Sequence, residues 1–161
     1  LPGLLKSEGW REVHALMGEP FVVVAPQGVA EPLHLPLIQY TTRHLMGRQI
    51  AGHLARHNVR IGARFELDSY NAILAMVAQG AGWTILTPLA LHHAARFLPA
   101  VEVSPLPGAP LGRMISLSAR ANALGPIPGV LAAQLRGLVD RQVVKPALRN
   151  WPWLQDSLRL L

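Results

Sequence analysis

Cysteine is absent from all 161 residues of the sequence. Its absence excludes disulfide bonds, thiolate catalysis and cysteine-ligated zinc, and it is compatible with a reducing cytoplasm. Long apolar runs are also lacking, because no stretch approaches the roughly 20 residues of a membrane-spanning helix. The opening Leu-Pro-Gly does not resemble a secretory signal. These absences predict a cytoplasmic protein with no membrane partner.

Aromatic residues are scarce, at 6% of the chain, and 9 Asp and Glu stand against 15 Lys and Arg. The net charge of +6 is nevertheless dispersed, since apolar positions separate the basic residues Arg43, Arg48, Arg56, Arg60 and Arg64. A nucleic-acid-binding surface normally needs a basic stripe, or an RNP-like or helix-turn-helix pattern. We therefore do not expect this chain to bind DNA by itself.

Half of the residues are hydrophobic, and the chain is long enough for one good-sized core or two small lobes. The stretch from Phe65 to Pro88 predicts a strand, a capped helix, a glycine turn and a second strand. Asp68 or Ser69 can cap the helix. Apolar residues then recur with helical spacing at Tyr70, Ile73, Leu74 and Val77. Gly80 should end the helix with a positive φ, which makes the unit β-α-β.

A similar order precedes this unit. Leu37–Tyr40 reads as a strand, Thr41 and Thr42 as hydroxyl caps, and residues 43–57 as a helix. β-α-β crossovers need parallel strands, which place their ligands at the carboxyl ends, where helices begin with unpaired N–H groups. Residues 67–69 lie at such an end, although their side chains could serve only as helix caps.

The flanking segments are less regular. We expect a strand over residues 10–16 that Gly18-Glu19-Pro20 breaks, followed by a buried strand at 21–25. Beyond residue 88 the pattern predicts a short helix at 89–97, strands at 101–103 and 114–119, and an amphipathic helix after residue 128. That helix has one apolar face, formed by Leu131, Leu135, Leu138 and Val139. Residues 146–161 predict a last amphipathic helix.

Patterns that could carry catalysis are incomplete. His53 and His57 have a metal-sharing spacing, but the Glu of a His-Glu-x-x-His motif is replaced by Leu54. Ser69 lacks a Gly-x-Ser-x-Gly elbow. We expect Glu66 and Asp68 to face opposite sides of the chain, which argues against a paired acid and base. The sequence thus predicts no catalytic residues, no metal and no cofactor.

Three blocks, in this order and spacing, resemble the effector-binding domain of LysR-type transcriptional regulators: Glu-Pro-Phe-Val-Val-Val-Ala-Pro (19–26), Leu-Ile-Gln-Tyr (37–40), and the run at 66–88 with its core Val-Ala-Gln-Gly-Ala-Gly. The resemblance implies an α/β, periplasmic-binding-protein-like (type 2) fold with two lobes. In this interpretation residues 1–25 end a partial first lobe and form a crossing strand, 26–105 form a complete second lobe, 106–145 return to the first lobe, and 146–161 form a tail.

The resemblance also implies a function: a cytoplasmic effector-sensing domain, not an enzyme, that holds a small molecule between its lobes. By position, the family's cleft residues in the second lobe correspond to Thr41, Thr42, Arg43, Leu67, Asp68, Ser69, Thr87 and Pro88. Because two helices should begin there, we expect a carboxylate or other anion as effector, with Asp68 mainly a cap.

The resemblance further implies homodimers, with tetramers in the full-length protein. It implies DNA binding only through a helix-turn-helix domain that this chain lacks. The alternatives are a stand-alone or transport-type solute-binding protein of the same fold, and an α/β enzyme, for which no base and nucleophile are found.

Overall fold

The computed structural model describes residues 10–59, 61–62 and 64–161. The chain divides into two compact units. The first unit joins the part of the described chain up to Pro20 to Gly112–Leu161, and the second unit comprises Phe21–Leu111. We predicted a second lobe at 26–105; the second unit begins earlier and ends later. Within the described ranges, no helix is long and apolar enough to cross a membrane.

The strands are β1 Arg11–Pro20, β2 Val22–Pro26, β3 Leu37–Tyr40, β4 Arg64–Leu67, β5 Thr84–Leu86, β6 Val101–Pro105, β7 Gly112–Arg120 and β8 Arg159–Leu160. The α-helices are α1 Leu45–Arg56, α2 Tyr70–Ala78, α3 Pro88–His93, α4 Ile127–Val139 and α5 Lys145–Asn150. Short 3-10 segments occupy Pro32–His34, Ala95–Ala100 and Pro152–Leu154, and a π-helical turn at Asp140–Val144 links α4 to α5.

A mixed sheet forms the second unit. β2 pairs antiparallel with β5 and β6, and β3 pairs parallel with β4. A parallel bridge between Leu37 and Trp83 joins the two parts, with the Ile38 N–H donating to the Trp83 carbonyl at 2.8 Å. The resulting order is β4-β3-β5-β2-β6. Since β4 and β5 both run parallel to β3, the chain from β4 through α2 to β5 is the predicted β-α-β crossover.

The core of the second unit lies on both faces of this sheet, as expected when helices cover a parallel sheet. Its largest fully buried side chains come from β3, from β5, from residues just before β2 and β5, and from α1, α2 and α3: Phe21, Leu37, Ile38, Ile50, Ile73, Leu74, Trp83, Ile85, Leu86 and Leu91. Burial of these apolar side chains is the main force that fixes the strand ends beside the helix starts.

The end of α2 confirms a prediction, whereas the start of α1 corrects one. Gly80 has φ +84° and follows Gln79, the C-cap residue of α2. Thr41 and Thr42 are not helix caps, because α1 begins at Leu45 with His44 at its N-cap and no side-chain cap. The helix predicted at 89–97 is two segments, α3 and a 3-10 turn, because the backbone of Ala94 between them is not helical (φ −126°, ψ 35°).

The first unit contains an antiparallel sheet in the order β7-β1-β8. Gly18-Glu19-Pro20 does not break β1, contrary to our prediction, because Glu19 is buried and its carboxylate accepts from Arg113 Nε on β7 at 2.7 Å. The predicted helix at 146–161 is also wrong in part. Only α5 and a 3-10 turn are helical there, and β8 pairs with Met17 and Gly18 of β1.

The predicted helix after residue 128 is confirmed as α4, which packs on β1 and β7. Its fully buried contact residue is Ala132. Leu131 and Leu138, which we assigned to one apolar face of this helix, are exposed, together with Ile127 and Val130.

Candidate functional site

An open cavity of about 270 Å³ lies at the carboxyl ends of β3 and β4 in the second unit. Its lining residues are Thr41, Arg43, Glu66, Leu67 and Asp68. The two strands are adjacent and parallel, and the Thr41 N–H donates to the Leu67 carbonyl at 2.9 Å as the last rung between them. Parallel pairing therefore brings together two segments that are 25 residues apart in the chain.

The hydroxyl of Thr41 is held in one orientation. Its Oγ1 accepts from the backbone N–H of Arg43 at 3.2 Å and from Arg43 Nε at 3.4 Å. A hydroxyl has one proton and two lone pairs, so the remaining proton is free to donate. It is directed to Glu66 Oε1, at 2.8 Å. Thr41 is thus oriented as a donor toward an anionic oxygen.

Thr42 adds to the same contact. Its backbone N–H donates to Glu66 Oε1 at 3.1 Å, and its hydroxyl lies 3.5 Å from that oxygen. The pKa of Glu66 is lowered, first by the Thr41 hydroxyl, then by the Thr42 N–H, with the Arg43 charge a smaller contribution. Burial does not force this arrangement, because the Glu66 side chain is exposed. The turn after β3 therefore binds a carboxylate through donors that favour its ionised form.

Two arginines border the turn. Arg43 Nη2 lies 3.4 Å from Asp68 Oδ2, with both side chains well exposed, so this ion pair is weak. Arg48, one turn into α1, donates from Nη1 to the carbonyls of Thr42 at 3.2 Å and Arg43 at 3.0 Å. Arg48 fixes the turn, whereas Arg43 keeps a guanidinium available at the cavity.

Close packing of α1 places the turn. A β-carbon at Gly47 would clash with the carbonyl oxygens of Tyr40 and Thr41. Only glycine allows the first turn of α1 to approach the end of β3 this closely. The same packing explains why Thr41, unlike Thr42, is buried.

Four of the predicted site residues do not line the cavity: Thr42, Ser69, Thr87 and Pro88. Ser69 caps α2, with its hydroxyl accepting from the Ala72 N–H at 3.3 Å. Thr87 caps α3 in the same way, accepting from the Ala90 N–H at 3.4 Å, and both Thr87 and Pro88 are buried. Asp68, which we expected to act mainly as a cap, is paired with Arg43 instead.

Two residues of the site, Glu66 and Arg48, were not predicted from the sequence. We placed Glu66 and Asp68 on opposite sides of the chain, and this was wrong, because residues two apart in a strand share a face. Both line the cavity. The period-two spacing was the signal that could have identified Glu66. Nothing local indicates that Arg48 reaches back to the carbonyls of the turn.

The histidine pair on α1 has another role. The rings of His53 and His57 are 4.4 Å apart, and His53 Nε2 lies 3.4 Å from the Pro107 carbonyl, to which its N–H can donate. Burial is the first cause that lowers the pKa of His53, and the charges of His57 and Arg56 lower it further. Among the described residues, no group of three or more His, Asp or Glu side chains is placed to hold a metal ion.

Residues 6–140 match the LysR substrate binding domain. The chain belongs to this family, whose members are the effector-binding, regulatory domains of LysR-type regulators of transcription and are not enzymes. No curated protein matches the sequence.

Solved structures of such regulators share the fold. The apo regulatory domain of HypT from Salmonella typhimurium is 17% identical with a TM-score of 0.62, over 81% of this chain and 66% of that one. The regulatory domain of CcmR from Synechocystis PCC6803, in complex with 2-PG, is 19% identical with a TM-score of 0.64, over 80% and 66%. This chain thus spans just under two thirds of these domains, and it covers 46% of full-length HypT.

Proposed function

We propose that this chain is the effector-sensing part of a bacterial LysR-type transcription factor and that its effector is a small anion, such as a carboxylate. The effector binds at the cavity formed by the ends of β3 and β4. Among the residues that we predicted from the sequence, Thr41, Thr42, Arg43, Leu67 and Asp68 form this site. Ser69, Thr87 and Pro88 support it by starting the helices behind it.

One observation carries the proposal: three donors of the turn after β3 converge on a single carboxylate oxygen, that of Glu66. A group of donors that binds one carboxylate can bind another of the same geometry, and Arg43 supplies a positive charge at its border. An anionic effector also agrees with the relatives, because the regulatory domain of CcmR is in complex with 2-PG and a HypT regulatory domain binds a bromide ion.

A buried amide on the same face of β3 supports a polar site here. Gln39 lies two residues before Thr41 and opposite Glu66 in the register. Both of its side-chain amide atoms are buried without a hydrogen-bond partner in the described part of the chain. An unsatisfied buried polar group costs about 1–3 kcal/mol, so apolar packing alone does not account for Gln39.

The longer protein would act on DNA in the bacterial cytoplasm through a helix-turn-helix domain, with effector binding biasing the grip of an oligomer on its target. We propose that the unit of that oligomer is a homodimer. In support, α4 exposes apolar side chains around a second cavity of about 250 Å³, lined by Pro126, Ile127, Val130, Leu131 and Gln134. Apolar patches of this kind favour association. Sedimentation that shows only a 17.5 kDa species at high concentration would contradict the dimer.

The site is tested by titrating acetate, malonate and inorganic phosphate into this chain, into Thr41→Val and Thr42→Ala, and into the control Ser104→Ala, which removes an exposed hydroxyl from β6 at the other edge of the sheet. We expect at least one acid to bind. Loss of the Thr41 hydroxyl should weaken that binding roughly 10-fold or more, since hydrogen bonds to charged groups contribute about 1.5–3 kcal/mol. The loss should be smaller for Thr42→Ala, whose N–H remains.

The control should bind the acid like the parent chain. Equal binding by the parent, Thr41→Val and Thr42→Ala would remove the turn after β3 from the effector site.

A further inference from the structure

Glu66 contributes the only carboxylate that the structure shows on the donors of Thr41 and Thr42 within the described chain. Glu66 belongs to the neighbouring strand, β4, and not to the turn after β3. Because its side chain is exposed, it can leave those donors without vacating a packed core. An acidic effector that uses the same donors must therefore replace Glu66.

We propose that Glu66 is an internal competitor of the effector and sets the charge class that the site prefers: acids with two negative charges bind at concentrations at which monocarboxylates do not. The inference rests on the proposed function, since it concerns the selectivity of the same site. Thr41, Thr42 and Arg43 provide the attraction, and Glu66 decides which acids can use it.

Attachment to the chain favours Glu66 over a free monocarboxylate. A monocarboxylate that takes the place of Glu66 exchanges one carboxylate for another on the same donors, so it gains little from them. Glu66 is moreover attached to β4, and a tethered group competes at an effective concentration in the millimolar range or above. Monocarboxylates below that concentration should leave Glu66 in place.

A second acidic group changes the balance. Arg43 borders the cavity, and its contact with Asp68 is long and exposed, at 3.4 Å. A dianion can accept from the Thr41 and Thr42 donors with one group and from the Arg43 guanidinium with the other. That second contact is one that Glu66 does not make, so it gives the dianion an advantage that a monocarboxylate lacks.

The charge of the surroundings opposes any incoming anion. Glu66 and Asp68 contribute two negative charges at the cavity and Arg43 one positive charge. A dianion is repelled by this net negative charge more strongly than a monoanion, so its advantage comes from the second contact, with the Arg43 guanidinium.

The test compares the whole chain with Glu66→Gln, which removes the competing charge while keeping the size of the side chain. The matched control is Glu102→Gln, an exposed glutamate on β6 at the opposite edge of the sheet, which changes the net charge equally. Acetate, malonate and inorganic phosphate are titrated into each protein, with the backbone amide resonance of Thr42 as the local readout.

In the parent chain we expect malonate or phosphate to shift the Thr42 amide at concentrations where acetate does not. In Glu66→Gln, acetate should bind about tenfold more tightly than to the parent. A tenfold gain is expected if Glu66 leaves the Thr41 and Thr42 donors unoccupied in only about one parent molecule in ten. The difference in affinity between the dianions and acetate should therefore be smaller in Glu66→Gln than in the parent. Glu102→Gln should bind each acid like the parent.

The two proposals fail in different ways. If acetate and malonate bind the parent and Glu66→Gln with the same affinities, the effector site stands and the role of Glu66 is refuted. If none of the acids moves the Thr42 amide in either protein, the anion site itself is refuted, and the selectivity with it. Circular dichroism of each variant checks that the fold is retained.

Discussion

The two helices that begin at the carboxyl ends of β3 and β4 start in different ways. α2 has a local N-cap, since the Ser69 hydroxyl accepts from the Ala72 N–H. α1 has no side-chain cap, and the hydroxyls that precede it are directed to Glu66 of the neighbouring strand. A helix start with a local cap has its N–H donor satisfied by its own segment. Donors that bind a carboxylate from another strand can instead exchange that carboxylate for another anion. The difference supports our proposal that the start of α1 is the binding end.

The largest effect should come from Gly47→Ala, which tests whether close packing places the binding end. The added methyl group meets backbone carbonyls that cannot rotate away. We expect a loss of about 3 kcal/mol in the free energy of unfolding, the upper part of the range for overpacking. Chemical denaturation measures it.

Gly52→Ala in the same helix is the matched control. The atoms nearest to its new β-carbon belong to the flexible Arg56 side chain. Alanine should therefore leave stability unchanged or raise it by up to about 1 kcal/mol. Equal effects of the two substitutions would show that α1 does not need this approach.

The second effect concerns the far end of α2. Gly80 has φ +84°, and no atom lies within 4 Å of the point that a β-carbon would occupy, so only backbone strain opposes a side chain. Gly80→Val should cost about 2 kcal/mol, because a β-branched residue resists the left-handed region. Gly80→Asn should cost clearly less. A thermal melt in which the Gly80→Val variant is as stable as the parent would contradict this helix end.

Local chemistry made α2 predictable. Ser69, the helical spacing of its apolar residues and Gly80 all lie within one short stretch, and each acts on its near neighbours. The same holds for β2, whose apolar residues at 22–25 indicate a strand that is buried on both faces. Where the forces that define an element are local, the sequence was sufficient.

The binding end depends on contacts that local patterns do not contain. Thr41 looks like a helix cap in sequence, yet its partner is Glu66, 25 residues away on a strand that pairing brings alongside. Glu19 was likewise predicted to lie in a strand break. Its partner in the sheet, Arg113, is 94 residues distant, so no local pattern indicates the pair. The lining of the cavity was thus only partly predictable from the sequence. Glu66, which accepts from the Thr41 and Thr42 donors, was not predicted.

The third effect should be modest and should separate the two helix starts. Ser69→Ala removes the cap of α2 and should cost about 1 kcal/mol. Thr42→Ala removes a hydroxyl that caps no helix, so it should cost a few tenths of that value. Urea denaturation of the two variants compares them directly, and an equal loss in both would mean that Thr42 stabilises α1 as a cap.

The smallest effect is a pH dependence that only the binding end should show. The pKa of Glu66 is lowered from its ordinary value of 4.5, first by the Thr41 hydroxyl. A group whose pKa falls on folding stabilises the fold above its unfolded pKa, and this contribution is lost as pH falls through the folded value. The melting temperature of Glu66→Gln should therefore lie below that of the parent near neutral pH, and the gap should close below about pH 4.5.

Ser69→Ala supplies the contrast, because no titrating group takes part in the cap of α2. Its melting temperature should lie below the parent's by an amount that does not change over the same pH range. Contributions from groups that all three proteins share largely cancel in the differences. A gap for Glu66→Gln that is as constant as the gap for Ser69→Ala would show that Glu66 is not bound as a carboxylate. The two helix starts would then be alike.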